Sequence, residues 1–432
     1  MDLAGAFAYL DAHVNLELDP APAAASMRLD VMRRLVGLMG DPQTAYPVIH
    51  ITGTNGKGST ARMVTALLME MGLSVGTYTS PHLERINERL VWNGQPIDDD
   101  AFVEAIEAVS KIETVLEKAP SHFEILTAAG YRWFADVAVD VAVVEVGLGG
   151  RWDATNVADG QVCVVTNVSL DHVEMIGPTL ADIASEKAGI VKPGSHLVLG
   201  ETSTDLAPIF RVANPAKVWE RGQEFGCVSN ELAHGGRLID LQTPQGRYTD
   251  LLLPVHGRHQ GENAAAALAA AEAFFGAPLD AEIVTDAFAG VVLPGRLEVI
   301  ARHPLCVLDG AHNPAGAAAA SEAVTETFAA GGLVLVVGML RGRDPVEMLA
   351  ALRAEDARLV IACPPPSPRA LPAEQVAVAA ESLGVNADVA DSAEEAVALG
   401  LSLAEPDDLV LVTGSLYVVG AARAVLTGTA AD

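Results

Sequence analysis

The sequence predicts an α/β fold with largely parallel sheet, divided into two domains. Three observations carry this. Short β-rich apolar runs alternate with alanine-rich helical stretches, and the loops between them are rich in Gly, Asp and Asn. A Pro294-Gly295 pair separates two such series, which puts the seam near residue 297 and the domains at 1–297 and 298–432.

In the first series, Tyr46–Thr52 is the first strong strand. Residues 59–71 follow as a helix, with Ser59 near its start, Met63, Leu67 and Met71 at every fourth position, and Gly72 as the stop. Strand-like runs recur at Asp140–Val146, Gln161–Thr166 and His196–Leu199. Residues 201–256 carry shorter strands and Gly-rich turns, and read as a β-rich excursion at the edge of the first domain. A helix is expected from about Asn263 to Phe275, its alanines suited to close packing on a sheet. The second series has strands at Leu305–Leu308, Leu333–Val337, Arg358–Ala362 and Leu409–Val412. Pro364–Pro368 is a stiff loop.

The 432 residues hold 27 Lys and Arg against 56 Asp and Glu, a net charge of −29. That excludes a broad basic face for nucleic acid or anionic lipid, so an anionic ligand has to be held by a few placed cations or a metal. Half the residues are apolar and 19% charged, a globular composition. Cys163, Cys227, Cys306 and Cys363 stand singly, with no CxxC pair, so neither a disulfide framework nor a zinc site is expected. Met1-Asp2-Leu3 does not open a basic-then-apolar leader, and the apolar runs are strand-length. The expectation is a soluble, cytoplasmic protein.

The most specific local signal is Gly53-Thr54-Asn55-Gly56-Lys57-Gly58-Ser59, between a strand and an amphipathic helix. Glycines let backbone N–H groups turn toward phosphate oxygens, and the helix N-terminus adds partial positive charge. Lys57 reaches the outer phosphates, and the Ser59 hydroxyl stands at the metal-facing position. The spacing is shorter than in the general P-loop, with Ile51 where its first glycine would fall. A nucleoside triphosphate is the expected ligand.

Three polar residues follow strands at the edge where parallel sheets bind ligands: Ser80, Glu145 and His172. A carboxylate and a hydroxyl suit magnesium, which prefers oxygen. Read alone, Glu145 is equally a capping or salt-bridged group, and His172 a hydrogen-bonded loop residue. Lys187, beside Glu186 near a helix end, reads by itself as a solvated lysine.

Taken in order, these segments resemble the folylpolyglutamate synthase/dihydrofolate synthase family, a branch of the Mur ligases, over about residues 26–420. The resemblance rests on Gly53–Ser59, Ser80–Leu83, Phe123–Thr127, Glu145–Arg151 with Asp153–Asn156, and Leu170–His172. It continues through Glu186–Ile190, His259-Gln260 with Asn263, Pro294–Arg296, Asp309–Pro314 and Gly414-Ser415. It implies a Mur-ligase-like P-loop ATPase domain followed by a smaller, Rossmann-like α/β domain. It also implies roles. Thr54, Asn55, Gly56, Lys57, Gly58 and Ser59 would hold ATP phosphates, with Asn263, Arg296 and Asp309 on the nucleotide. Ser80, Glu145 and His172 would ligate magnesium, and a carbamylated Lys187 would bridge to a second ion, which reverses the solvated reading. Ser26, Met27, Arg28, Pro81, His82, Ser121, His122, Phe123, Glu124, Trp152, Asp153 and Ala154 would line the pterin-bearing substrate. His312, Ser415 and Tyr417 would receive glutamate, and Lys57, Lys187 and His312 would be catalytic. Two positions depart from the family pattern: Arg28 replaces a glycine, and Trp152 stands where leucine is common.

The implied chemistry is ATP-dependent amide formation, adding L-glutamate to dihydropteroate, to reduced folates, or to both. A carboxylate is a poor electrophile, so phosphoryl transfer first makes an acyl phosphate, which the glutamate amine attacks. ATP and two Mg2+ ions are implied, with a monovalent cation requirement left open. The partners are these small molecules, without nucleic acid or membrane, and the chain is expected to be a monomer. Two alternatives stay open: a Mur-type ligase acting on a nucleotide-sugar peptide, and a nucleotide-gated binding protein without ligase chemistry.

Overall fold

The computed structural model describes residues 1–18 and 28–428. Ser26 and Met27, expected at the substrate, lie outside the described residues. The first half is built on an eight-stranded sheet: β1 Val48–Thr52, β2 Val75–Tyr78, β3 Leu90–Trp92, β4 Gln95–Pro96, β5 Val141–Glu145, β6 Gly160–Val165, β7 His196–Leu199 and β8 Lys217–Glu220. Its order is β4-β3-β2-β5-β1-β6-β7-β8. The strands from β2 to β8 pair in parallel, while the short β3 and β4 add an antiparallel edge. β1 and β5 are buried at every position, as mostly apolar strands covered on both faces must be, His50, Thr52 and Glu145 being the buried polar exceptions.

Two layers cover this sheet. On one face lie the helices Lys57–Glu70 and His259–Phe275, roofed by an antiparallel sheet of β9 Gly226–Ala233, β10 Gly236–Gln242 and β11 Arg247–Leu253. Ala264 to Ala271 are buried, and the small side chains let this helix lie close against Lys57–Glu70. The other face holds Asp99–Glu113 and His122–Asp136. Phe134 of the latter is fully buried, so close to β2 that a Cβ on Gly76 would lie 2.7 Å from its ring.

The second half is a six-stranded sheet of β12 Glu298–Arg302, β13 Leu305–Leu308, β14 Leu333–Val337, β15 Leu359–Ala362, β16 Ala387–Val389 and β17 Leu409–Thr413. Its order is β12-β13-β17-β14-β15-β16, parallel except at the β12 edge. Ion pairs join the halves: Arg237 of β10 meets Glu326 at 2.7 Å, and Arg423, paired with Glu298 in its own half, also reaches Glu84.

The expected strands appear within two residues of their predicted ends. Three boundaries differ. The helix after the phosphate loop begins at Lys57 rather than Ser59, and the alanine-rich helix begins at His259. Within 201–256, β8 extends the main sheet and Ala207–Arg211 is a helix, so only 226–253 form the separate β layer. β12 went unpredicted because this half-exposed edge strand, Glu-Val-Ile-Ala-Arg, has an apolar run of only three residues closed by charges.

Candidate active site

Ile51 of β1 pairs with Glu145 of β5, and Thr52 with Val165 of β6, so three strand ends lie side by side. They open on a cleft of about 420 Å³ whose wall draws on both halves: the phosphate loop, Ser80, Glu145 and Lys187 from one, Asp309 to His312 and Leu416 from the other.

Gly56 starts the helix Lys57–Glu70 in the left-handed region, at φ +82, and no side chain caps that end. The first-turn N–H groups therefore face the cleft, the arrangement that favours an anion. The loop is held from the β6 side. Thr54 N donates to Asn167 O at 3.0 Å, Asn55 N to Asn167 Oδ1 at 3.0 Å, and Thr166 Oγ1 to Asn55 O at 2.6 Å. Lys57 Nζ curls back onto Gly53 O and Thr54 O, at 3.2 Å each.

Lys187 Nζ arrives at the same Gly53 carbonyl, at 2.9 Å. It is 5% exposed, and burial, with Lys57 beside it, lowers its pKa to about 7. The solvated reading of Lys187 from its own neighbours is thereby corrected: the last residue of the helix Leu180–Lys187, it carries its amine inward, against a loop 134 positions earlier.

Glu145 is also 5% exposed, and burial raises its pKa. Its Oε2 accepts Ser80 N at 3.2 Å and would lie 3.4 Å from a Cβ on Gly58, placing it against the first helical turn. His172 has its ring pKa lowered to about 4 by burial, so its imidazole is neutral at pH 7. A carboxylate, the Ser59 and Ser80 hydroxyls and a neutral imidazole fit a hard cation that completes its shell with phosphate oxygens and water. Among the described residues no three His, Cys, Asp or Glu side chains cluster as a metal cage.

On the nucleotide side, Asn263 packs so close to Gly56 that a Cβ there would strike its amide oxygen, and its Nδ2 donates to Gln260 Oε1 at 2.9 Å. Arg296 lines the cleft. The Asp309 carboxylate accepts Leu297 N at 3.0 Å and Ala311 N at 2.9 Å, folding its own turn, and burial raises its pKa. His312 Nδ1 donates to Gly310 O at 2.9 Å, leaving Nε2 3.7 Å from Asp171.

The expected substrate residues divide. Pro81 and His312 line the cleft. His82, Ser121, His122, Phe123, Glu124, Trp152, Asp153, Ala154, Ser415 and Tyr417 stand outside that wall. Ser121 and Glu124 cap the helix His122–Asp136 through reciprocal bonds. Asp153 accepts Leu148 N at 2.9 Å and Thr155 N at 3.0 Å, so its carboxylate shapes the glycine turn after β5. Phe123 packs on Gly147, and buried His122 has no partner at Nδ1. His82 Nδ1 accepts Arg89 Nε at 3.0 Å. Ser415 caps the helix Leu416–Thr427 through Tyr417 N. Trp152 is 45% exposed, and Arg28 pairs outside with Asp30 at 2.7 Å. The residues that sequence reasoning left without a role are Asp171, Asn313 and Arg343, which meet where the second half contacts the cleft wall. The first two sit in recognised motifs; Arg343 has no local signal.

Comparison with known proteins agrees with this geometry. The Mur ligase middle domain matches residues 51–271, and the Mur ligase, glutamate ligase domain matches residues 295–416. The dihydrofolate synthase/folylpolyglutamate synthase of Mycobacterium tuberculosis is 39% identical over 428 residues, covering 90% of this chain and 88% of that protein. The crystal structure of Mycobacterium tuberculosis folylpolyglutamate synthase complexed with ADP and AMPPCP superposes with a TM-score of 0.91 at 38% identity, over 100% of both chains. Escherichia coli FolC in complex with DHPP and ADP gives 0.87 at 30% identity, over 99% of this chain and 98% of that one. With both domain models in place, full-length likeness and a phosphate loop facing the second half, the chain belongs to the dihydrofolate synthase/folylpolyglutamate synthase family of Mur-type ligases.

Proposed function

We propose that this protein is an ATP-dependent ligase that joins L-glutamate to dihydropteroate, to the γ-carboxylate of tetrahydrofolates, or to both, releasing ADP and phosphate. The observation that carries the reading is the convergence of Lys57 and Lys187 on the Gly53 carbonyl, with Glu145 against the same helical turn, in a cleft that His312 enters from the other half.

The first-turn N–H groups and Lys57 hold the triphosphate and spread the charge that grows as its terminal phosphoryl group moves to the substrate carboxylate. Asn263, Arg296 and Asp309 keep the nucleotide at the junction of the halves. Magnesium, held by Ser59, Ser80, Glu145 and His172, supplies charge neutralisation when bound. Lys187 is suited to carbamylation, because a pKa of about 7 leaves much of the amine neutral and nucleophilic at physiological pH. The carbamate would turn a buried cation into an anion facing a second ion. His312 and Ser415 orient the incoming glutamate, whose amine attacks the acyl phosphate; positioning supplies most of the acceleration. The reading includes a domain seam near 297, a monomer and a cytoplasmic location. No described helix is long and apolar enough to cross a membrane.

ADP release decides it. With purified protein, ATP, magnesium and glutamate, dihydropteroate and tetrahydrofolate are offered separately, with a muramoyl peptide nucleotide as control. Turnover with either pteridine substrate and none with the control is expected; ADP release only with the control would move the chain to the cell-wall branch. ATP binding without glutamate-dependent turnover would leave a binding protein.

A further inference from the structure

Asp171 is 7% exposed and lies in the cleft wall with both carboxylate oxygens committed. Oδ1 accepts His172 N at 2.8 Å and faces Arg343 Nη1 at 2.6 Å. Oδ2 accepts Asn313 Nδ2 at 3.1 Å, with His312 Nε2 at 3.7 Å. Asp171 belongs to the first half, whereas Arg343, Asn313 and His312 belong to the second. Arg343 follows β14 and does not line the cleft; its ion pair with Asp171 is what ties it to the wall.

The chain of contacts continues to the phosphate loop. Asn313 is fully buried and uses its whole amide. Its Nδ2 also donates to Asn55 Oδ1 at 3.0 Å, and its Oδ1 accepts Asn55 Nδ2 at 3.3 Å and Gly316 N at 2.8 Å. Asn55 is in turn fixed by Thr166 and Asn167. Asn313 caps the helix Pro314–Thr327 immediately after His312. Four side chains, Asn55, Asn313, Asp171 and Arg343, thus join the loop that faces phosphate to the segment that carries His312, independently of the covalent link at 294–297.

Resting on the ligase reading above, we infer that Asp171 and Arg343 are positioning residues for the glutamate end of the reaction. Their ion pair holds the second half in register, so that His312 meets the phosphate loop at the distance the amine attack requires. A planar guanidinium pairing a buried carboxylate fixes direction as well as distance, which a freely rotating ammonium does less well.

The test compares Arg343→Met, Arg343→Lys, Asp171→Asn and the double variant Asp171→Asn/Arg343→Met with wild type. Readouts are glutamate-dependent ADP release at saturating ATP, a binding titration with ADP, and a thermal melt. Arg343→Met is expected to lose about 100-fold in kcat/KM for glutamate, the scale of a displacement of about 1 Å, while ADP affinity stays within about 3-fold. Arg343→Lys recovers part of the loss, and the double variant is no worse than the poorer single, because both changes break one contact. Near-normal glutamate kinetics in Arg343→Met would overturn the inference, as would losses that multiply in the double variant, or an ADP affinity that falls in step with turnover. If Asp171→Asn does not fold, Arg343→Met and its lysine counterpart decide alone. Wild-type protein silent toward every acceptor would instead defeat the ligase reading, so the two failures are distinct.

Discussion

Replacing Lys187 with methionine should make the protein more stable and inactive. A lysine in water titrates near 10.5; burial in the phosphate-loop cleft, with Lys57 adjacent, brings Lys187 to about 7. Because the folded state binds that proton less tightly than the unfolded chain, stability rises with pH between the two values. Below pH 7 the folded protein carries the full cost of a buried ammonium. The shift puts that cost at about 5 kcal/mol at most, and relaxation and water entry should bring the observed gain to about 2 kcal/mol. The gap between Lys187→Met and wild type should therefore be widest near pH 6 and narrow by about 1–2 kcal/mol by pH 9. Urea midpoints of both proteins, in buffer stripped of carbon dioxide so that no carbamate forms, measure this directly. A variant less stable than wild type at pH 6, or a gap that is constant or widens with pH, would refute the reasoning. Turnover of Lys187→Met should be lost with or without carbon dioxide in the buffer, whereas Lys187→Ala should be partly restored by short carboxylic acids.

Further outcomes follow from the same geometry. Glu145→Gln should raise the melting temperature at pH 7, because a buried carboxylate whose pKa is raised costs stability above about pH 4.5, and should lower magnesium-dependent turnover by about 100-fold or more. Gly56→Ala puts a Cβ at φ +82 against the Asn263 amide; nucleotide titration should show affinity reduced at least about 10-fold, with a global stability loss of only about 1–2 kcal/mol. Phe134→Ala, at a position outside the cleft wall, should cost about 3–5 kcal/mol in denaturant unfolding and leave the KM for ATP unchanged.

What the sequence determined alone was everything set by neighbours a few positions apart. Buried parallel strands must read as apolar runs, which placed β1, β5, β6, β14 and β17 within two residues. A strand, a glycine turn and a helix start, with Lys57 and Ser59 at fixed offsets, specify an anion loop before any folding is known. The edge strand β12 was the complement: half exposed and charged, it owes its conformation to pairing with β13.

Only the tertiary structure decided the state of the ionisable groups. Nothing local to Ser-Glu-Lys-Ala-Gly says that Lys187 will lose its water beside Gly53, because desolvation comes from chain segments over a hundred residues away. That Asp153 accepts backbone N–H groups and shapes the turn after β5 is likewise visible only in the folded chain. Arg343 acquired significance only when folding carried it to Asp171, 172 positions earlier in the chain. Residue type fixes what a group can do within its own helix or strand; the dielectric and the partners that set its charge and direction arise from packing, which no short window of sequence contains.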